Sequence, residues 1–261
     1  MRALTIAASG MLAQQLNVEV ISNNIANLST TGFKRQRAEF SDLLYQNQTR
    51  VGVSSSSADT VVPTGIQLGL GVRPAGTYRI NEQGPLQQTG NSLDIAVNGR
   101  GYFLVTLPNN DTAYTRAGTF QRNQDGLIVT AEGYEVSPAI TIPQDATDVT
   151  INEQGQVYAT IDNQVNPQLL GQLDMAVFVN ESGLQAIGNN LFLETQASGP
   201  AVQGFGGDPG FGSLRQRFLE ASNVDAVNEI TSLITAQRNY ELNSNVIRSG
   251  DEMQKTVSQL S

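Results

Sequence analysis

Between residues 4 and 28 the apolar side chains fall into two columns seven residues apart. One column holds Leu4, Met11, Val18 and Ile25, and the other Ala7, Gln14, Ile21 and Leu28. Only Gln14 is polar, and the outer positions carry Ser, Gln, Asn and Glu. A heptad stripe this narrow marks a helix that docks along another helix. A helix packed on a globular core has a similar period, but usually a wider stripe. Gly10 is a weak point, about 1 kcal/mol poorer than alanine in a helix. The other end of the chain reads the same way. From Asn223 to Leu260 there is no proline, and a stripe runs through Val227, Ile230, Leu233, Ile234, Ala236, Tyr240, Ile247, Met253, Val257 and Leu260. Gln237, Ser244 and Gly250 interrupt it. Ser222 or Asn223 is the predicted cap, with Asp225 in the first turn facing the positive end of the helix dipole. Neither helix can bury its stripe alone, and isolated helices are marginal in water. The economical arrangement pairs the two ends as a coiled coil, which makes the middle an insertion. Two helices still leave apolar surface uncovered, and such surface calls for neighbouring copies.

Helical periodicity vanishes in the middle. Short strand-like runs are predicted at 71–80, 93–97, 101–107, 112–119, 126–130, 134–136, 149–151, 156–160, 172–179 and 191–195. The turns between them, PNND at 108–111, NQDG at 123–126, AEG at 131–133 and NEQG at 152–155, supply residues that tolerate positive φ. The expected fold class is therefore α+β: paired terminal helices with an all-β domain inserted between them. The expected divisions are 1–30 and 222–261 for the helical part, 31–70 and 198–221 for extended connectors, and 71–197 for the β domain. Within the connectors, 46–64 is Ser/Thr-rich and 197–212 Gly/Pro-rich. Both read as linkers, although the valines kept in 46–64 also fit an extended arm.

Composition narrows the chemistry. The 261 residues include no His, Cys or Trp and carry a net charge of −9. Disulfides are excluded, and the commonest metal ligands and general base are missing. The glycines of GIQLGLG at 65–71 follow no strand and open no helix, so no phosphate loop is predicted. A Ser-Lys pair would have to use Lys34 or Lys255, the only lysines. No catalytic, cofactor-binding or metal-binding residues are assigned. The cluster Lys34, Arg35 and Arg37 is too small for a nucleic-acid face and reads as solvated surface. No apolar run reaches the ~20 residues of a membrane span. Ala3–Ala8 is shorter than the ~7–15 residues of a signal core, so the N-terminus reads as mature protein.

The stretch SNNIANLSTTGFKRQ, residues 22–36, breaks the first helix with amides and hydroxyls. With RAEF after it, it resembles the N-terminal signature of the bacterial flagellar rod and hook proteins. SNVDAVNEITSLITAQRNYELNSNVI at 222–247 is similar to that family's C-terminal signature. QGPLQQTGNSLDIAVNGRGYFLV, YTRAGTFQRNQDGLIVTAEGYEV and VFVNESGLQAIGNNLFLET resemble its middle, in the family's order. LGLGVRPAGTYRINEQGPLQQTG and GSLRQRFLEASNV are most similar to the distal rod branch. Leu28-Ser29 departs from the Val-Asn common in the family. The resemblance implies a structural subunit that polymerises helically into a hollow periplasmic drive shaft of the flagellar basal body. The implied partners are further copies, proximal rod subunits, hook protein, the periplasmic and outer-membrane rings and the flagellar type III export apparatus. The implied inner seam is Leu4, Met11, Val18, Ile21, Ile25 and Leu28 with Val227, Ile230, Ile234, Tyr240 and Ile247. Asn23, Asn24, Asn27, Thr31, Gly32 and Phe33 would then form a corner that ends the inner helix and turns the chain outward. In it Gly32 permits a left-handed residue and Phe33 anchors the exit by burial. Proximal rod or hook subunits are the nearest alternatives. A secreted polysaccharide hydrolase or a coiled-coil adhesin would be the rivals from other classes.

Overall fold

The computed structural model describes residues 2–49, 65–162 and 166–260. Most of the arm expected over 46–64 lies outside these residues. The structure is α+β, with an N-terminal and a C-terminal helix flanking a β region in the chain. The chain divides into two compact units. The first comprises residues 1–25, 36–78 and 225–261, and the second 26–35 and 79–224.

The first unit holds α1 (Arg2–Ala26), β1 (Gln36–Asp42), β2 (Tyr45–Thr49), β3 (Ile66–Gly69), β4 (Val72–Arg79, ending at the boundary) and α2 (Ala226–Leu260). The strands β1 and β4 pair, and so do β2 and β3. Leu43 N–H donates to Gly71 O (2.8 Å) and Leu70 N–H to Leu44 O (3.2 Å), which joins the two pairs into one long ribbon. Ser9 Oγ accepts from Val72 N–H at 3.2 Å, so the ribbon rests on α1. The helix stops at Ala26, and Leu28, expected in the heptad column, lies beyond its end and is exposed. The start of α2 also departs from expectation. Its cap is Asp225, whose Oδ1 accepts from the N–H groups of Val227 (2.9 Å) and Asn228 (3.2 Å). Asn223 is drawn elsewhere by three bonds to residues 35, 80 and 82, and Ser222 Oγ accepts instead from Val224 N–H.

The second unit is built of β5 (Leu86–Gln88), β6 (Ile95–Asn98), β7 (Tyr102–Thr106), β8 (Thr112–Thr115), β9 (Gln121–Arg122), β10 (Ile128–Val129), β11 (Glu135–Val136), β12 (Ala146–Ile151), β13 (Gln156–Ile161), β14 (Gln168–Gln172), β15 (Met175–Val177), β16 (Gln185–Gly188), β17 (Leu191–Leu193), β18 (Val202–Gly204), β19 (Ser213–Gln216) and β20 (Phe218–Glu220). The largest sheet centres on β7, which pairs with β8, β11 and β15, all antiparallel. The strands β12, β13 and β14 form a separate meander. Between them lies a core of Ile95, Val97, Phe103, Phe120, Ile128, Val157, Leu173, Met175 and Leu214, all essentially sealed from water. Phe103 and Phe120 meet edge to face at 5.1 Å. Positive φ falls on Asn110, Gly126, Gly133 and Gly155, each within one of the four turn motifs.

The segments expected as connectors carry strands. Residues 36–49 contribute β1 and β2, and 198–221 contribute β18, β19 and β20. The glycines of 204–212 serve close packing rather than slack: a Cβ on Gly212 would stand 2.5 Å from Asn98 O and one on Gly204 2.6 Å from the Phe211 ring. Gly118 is the tightest position, because a Cβ there would stand 1.6 Å from Ile95 O, in backbone that cannot rotate away. Gly118→Ala is therefore expected to destabilise the second unit by ~3 kcal/mol or more. Gly90→Ala, with nothing within 4 Å of the new carbon, should be close to neutral. Urea unfolding of the full chain measures both.

Candidate assembly site: helix faces and corner

Three contacts define how α1 meets α2. Leu4 lies against Gly250, where a Cβ would stand 2.8 Å from Leu4 Cδ2. Gly10 lies against Asn243, where a Cβ would stand 2.9 Å from the side-chain amide nitrogen. Asn24 Nδ2 donates to Glu229 Oε2 at 3.2 Å. Contacts that climb α1 descend α2, so the helices run antiparallel. The line of closest approach passes through small and polar residues, with Ala236 fully buried. Glycine and alanine at such points let two backbones approach more closely than leucine permits.

This line lies beside the columns named from the heptad pattern. Of the α1 residues expected in the seam, Ile21 is buried, whereas Leu4, Met11, Val18 and Ile25 are half-buried at its margin. Ala7, Ala13, Val20 and Asn24 are the other buried residues of α1. On α2, Ile247 is half-buried, but Val227 (72 % exposed), Ile230 (49 %) and Ile234 (45 %) face away from α1. Leu242, Val246 and Met253 are exposed as well, and Leu12 is exposed on α1. Tyr240 is 44 % exposed and lines a groove of about 350 Å³ with Gln15, Val18, Glu19, Gln237 and Glu241. The heptad reading found Leu4 and Ala236 of this line but not Gly10, Asn24, Asn243 and Gly250, because glycine and asparagine carry no hydrophobic signal.

The corner follows directly on α1. Asn24 is sealed, and its amide brackets one peptide of the returning strand: Oδ1 accepts from Gln36 N–H and Nδ2 donates to Gln36 O, both at 2.8 Å. The side chain thus acts as a strand partner rather than as a cap for helix carbonyls. Asn23 is exposed, and Asn27 is half-buried and accepts from Thr30 Oγ1 at 3.1 Å. Thr31 O accepts from Asn190 Nδ2 at 3.4 Å. Gly32 adopts φ +69°, and a Cβ there would meet Ala117 N at 3.0 Å, so both conformation and space require glycine. Phe33 is only half-buried; the anchor of the exit is its neighbour Lys34.

Lys34 overturns the reading of the basic cluster as solvated. Its side chain is 4 % exposed, and its ammonium donates to Glu220 Oε1 at 2.6 Å and to Glu82 O at 2.8 Å. Glu220 is 1 % exposed and accepts on its other oxygen from Arg116 Nε at 2.6 Å. Arg116 is also buried and donates to Gly101 O and Gly99 O. Burial pushes the Lys34 ammonium below its ordinary pKa, and the adjacent Glu220 opposes that fall. Burial alone would raise the Glu220 carboxyl, but Arg116 and then Lys34 outweigh it and hold it below the usual carboxylate range. Charge this deeply buried survives because both carboxylate oxygens of Glu220 face cations and both cations also find backbone carbonyls. No sequence pattern joins residues 34, 116 and 220, so only packing reveals the triad.

Glu220→Gln would leave two buried cations without an anion. The full chain is expected to lose ~3–5 kcal/mol of stability at neutral pH. A carboxylate whose folded pKa is depressed stabilises fully above its unfolded value of 4.5 and ceases to as pH falls through its lower folded value. The difference between wild type and variant should therefore shrink below about pH 4.5. Urea titrations at pH 7 and at successively lower pH values check the size and the sign.

Among the described residues, no group of three or more His, Cys, Asp or Glu side chains is placed to hold a metal ion, and no helix is long and apolar enough to cross a membrane. Comparison with known families matches residues 4–34 to "Flagella basal body rod protein", 96–159 to "Flagellar hook protein FlgE/F/G D1 domain" and 215–260 to "Flagellar basal body rod FlgEFG protein C-terminal". The flagellar basal-body rod protein FlgG of Caulobacter vibrioides is 60 % identical over 100 % of this chain and 99 % of its own length. The proteins of the same name from Agrobacterium fabrum and Bacillus subtilis are 54 % and 39 % identical, each aligned over at least 96 % of both chains. At such identity from end to end, the chain belongs to the FlgG family of flagellar basal-body rod proteins.

Proposed function

We propose that this chain is a subunit of the flagellar distal rod that polymerises helically into a hollow shaft carrying torque from motor to hook. The observation that carries the reading is the set of large apolar side chains left in water on α2: Val227, Ile230 and Ile234 on its outer side, with Leu242, Val246 and Met253 exposed further along the helix. Burying one such side chain against a neighbour is worth ~1.5–3 kcal/mol. Several together across repeated contacts are enough to drive assembly. A tube needs heterologous contacts, in which a patch meets a different patch on the next copy. The exposed row of α2 and the groove beside Tyr240 are two different patches of this kind.

In this reading the antiparallel helices pair as a coiled coil and form the inner wall of the shaft. The half-buried Leu4, Met11, Val18 and Ile25 complete the seam when sister copies dock. The corner at Asn23–Phe33 ends the inner helix. The shaft stands in the periplasmic part of the basal body. Its partners are proximal rod subunits, the hook protein, the surrounding rings and the type III export apparatus that delivers the chain. The work is polymerisation rather than catalysis, which accords with a sequence free of histidine and cysteine.

Replacing Val227 and Ile234 with Asp tests this directly. Both side chains are exposed in the single chain, so its stability should change by no more than ~0.5 kcal/mol each. Rods should fail to form and cells should lose motility. Normal swimming by the double variant would exclude the exposed row as the assembly face.

A further inference from the structure

Three separate stretches of the second unit are tied together beside its edges in the sequence. The chain passes between the two units at four points, and three of these, after Arg35, before Arg79 and after Val224, border residues 32–35, 80–84 and 220–223. Asn223 touches the other two stretches. Its Oδ1 accepts from Arg35 N–H at 2.7 Å, and its Nδ2 donates to Ile80 O at 2.8 Å and Glu82 O at 3.0 Å. Ile80 N–H donates to Arg35 O at 2.8 Å. Glu220 repeats the pattern. Its backbone oxygen accepts from Gly32 N–H at 2.8 Å, and its carboxylate accepts from Gly84 N–H at 2.9 Å and from Lys34. Gly84 lies so close that a Cβ would stand 2.0 Å from Ala221 O.

A lone strand has two soft torsions per residue and swivels under load. Three stretches bonded pairwise cannot turn independently, because rotation of one must break bonds to both others. We infer that Asn223 and Glu220 make residues 32–35, 80–84 and 220–223 into a torsion clamp, which lets this part of the second unit bear torque without its three stretches twisting past one another. The mechanical part rests on the rod reading; the cooperativity of the three stretches does not. The side-chain amide of Asn223 suits the task, since it offers both an acceptor and two donors in one rigid plane.

The test is Asn223→Ala, read first by hydrogen exchange on the purified full chain. The amides of Arg35, Ile80, Gly32 and Gly84 are expected to exchange roughly tenfold faster as a group, although only Arg35 loses its own acceptor. Faster exchange confined to Arg35 overturns the clamp. The second readout is swimming at low and high viscosity. Cells with normal numbers of rods should match wild type in dilute medium and lose at least half their relative speed in viscous medium. Equal performance at both viscosities overturns the mechanical role. If the alanine variant does not accumulate folded chain, Asn223→Asp, which keeps the acceptor for Arg35 and loses both donated bonds, takes its place: faster exchange of Ile80, Gly32 and Gly84 together supports the clamp, and unchanged exchange at all three overturns it. Absence of the chain from basal bodies would sink the rod reading, and the exchange result, which needs no rod, would still decide the clamp.

Discussion

Two helices cover only one side of each other. In this chain the covered side of α2 is lined by small and polar residues, Glu229, Ala236, Asn243 and Gly250, while Val227, Ile230 and Ile234 are left outside. The usual order of burial is thus inverted, with the larger apolar groups in water and the smaller groups in contact. Such an inversion is costly for a solitary molecule and sensible for a subunit, because large apolar groups are the ones worth most when a neighbour arrives. The close antiparallel contact through glycine and alanine makes the inversion possible.

The second unit solves a different problem. Its core is dry and closely packed, and its glycines stand where backbones nearly touch, as at Gly118 and Gly84. It spends charged residues inside. Replacing a buried ion triad by apolar groups is often neutral or stabilising, but here it would also strip Glu82 O, Gly99 O, Gly101 O and the Gly84 N–H of their partners. What the triad adds is direction: it bonds a stretch near the N-terminus, a loop after β8 and the end of β20 in one geometry only. A subunit that must hold one orientation through many identical contacts has use for that specificity.

Membership of a rod-protein family accords with both halves of this design. In the proposed rod, exposed apolar side chains supply affinity between copies, and the pinned stretches of the β unit supply stiffness. Neither task calls for a catalytic group.

Much of this was legible before any coordinates. The helical ends announced themselves because an apolar period near 3.6 over more than twenty residues has few other solutions. The turns were legible because positive φ selects Asn and Gly, as at Asn110, Gly126, Gly133 and Gly155. Gly32 was legible for the same reason. The family resemblance rested on whole stretches in order, and end-to-end identity with rod proteins bears it out. Other features depended on the tertiary structure. The helix contact took in Gly10 and Gly250 because closeness of approach depends on what a residue lacks, which hydrophobicity does not register. Asn24 became a strand partner and Asn223 left its capping role because distant peptides, at Gln36, Ile80 and Glu82, competed for their amides. Lys34 went inside because Glu220, 186 residues away, was there to meet it. Local periodicity and turn chemistry are properties of neighbours along the chain, and so the sequence alone determined them. The partner of a buried polar group is a property of neighbours in space, and only the fold decided it.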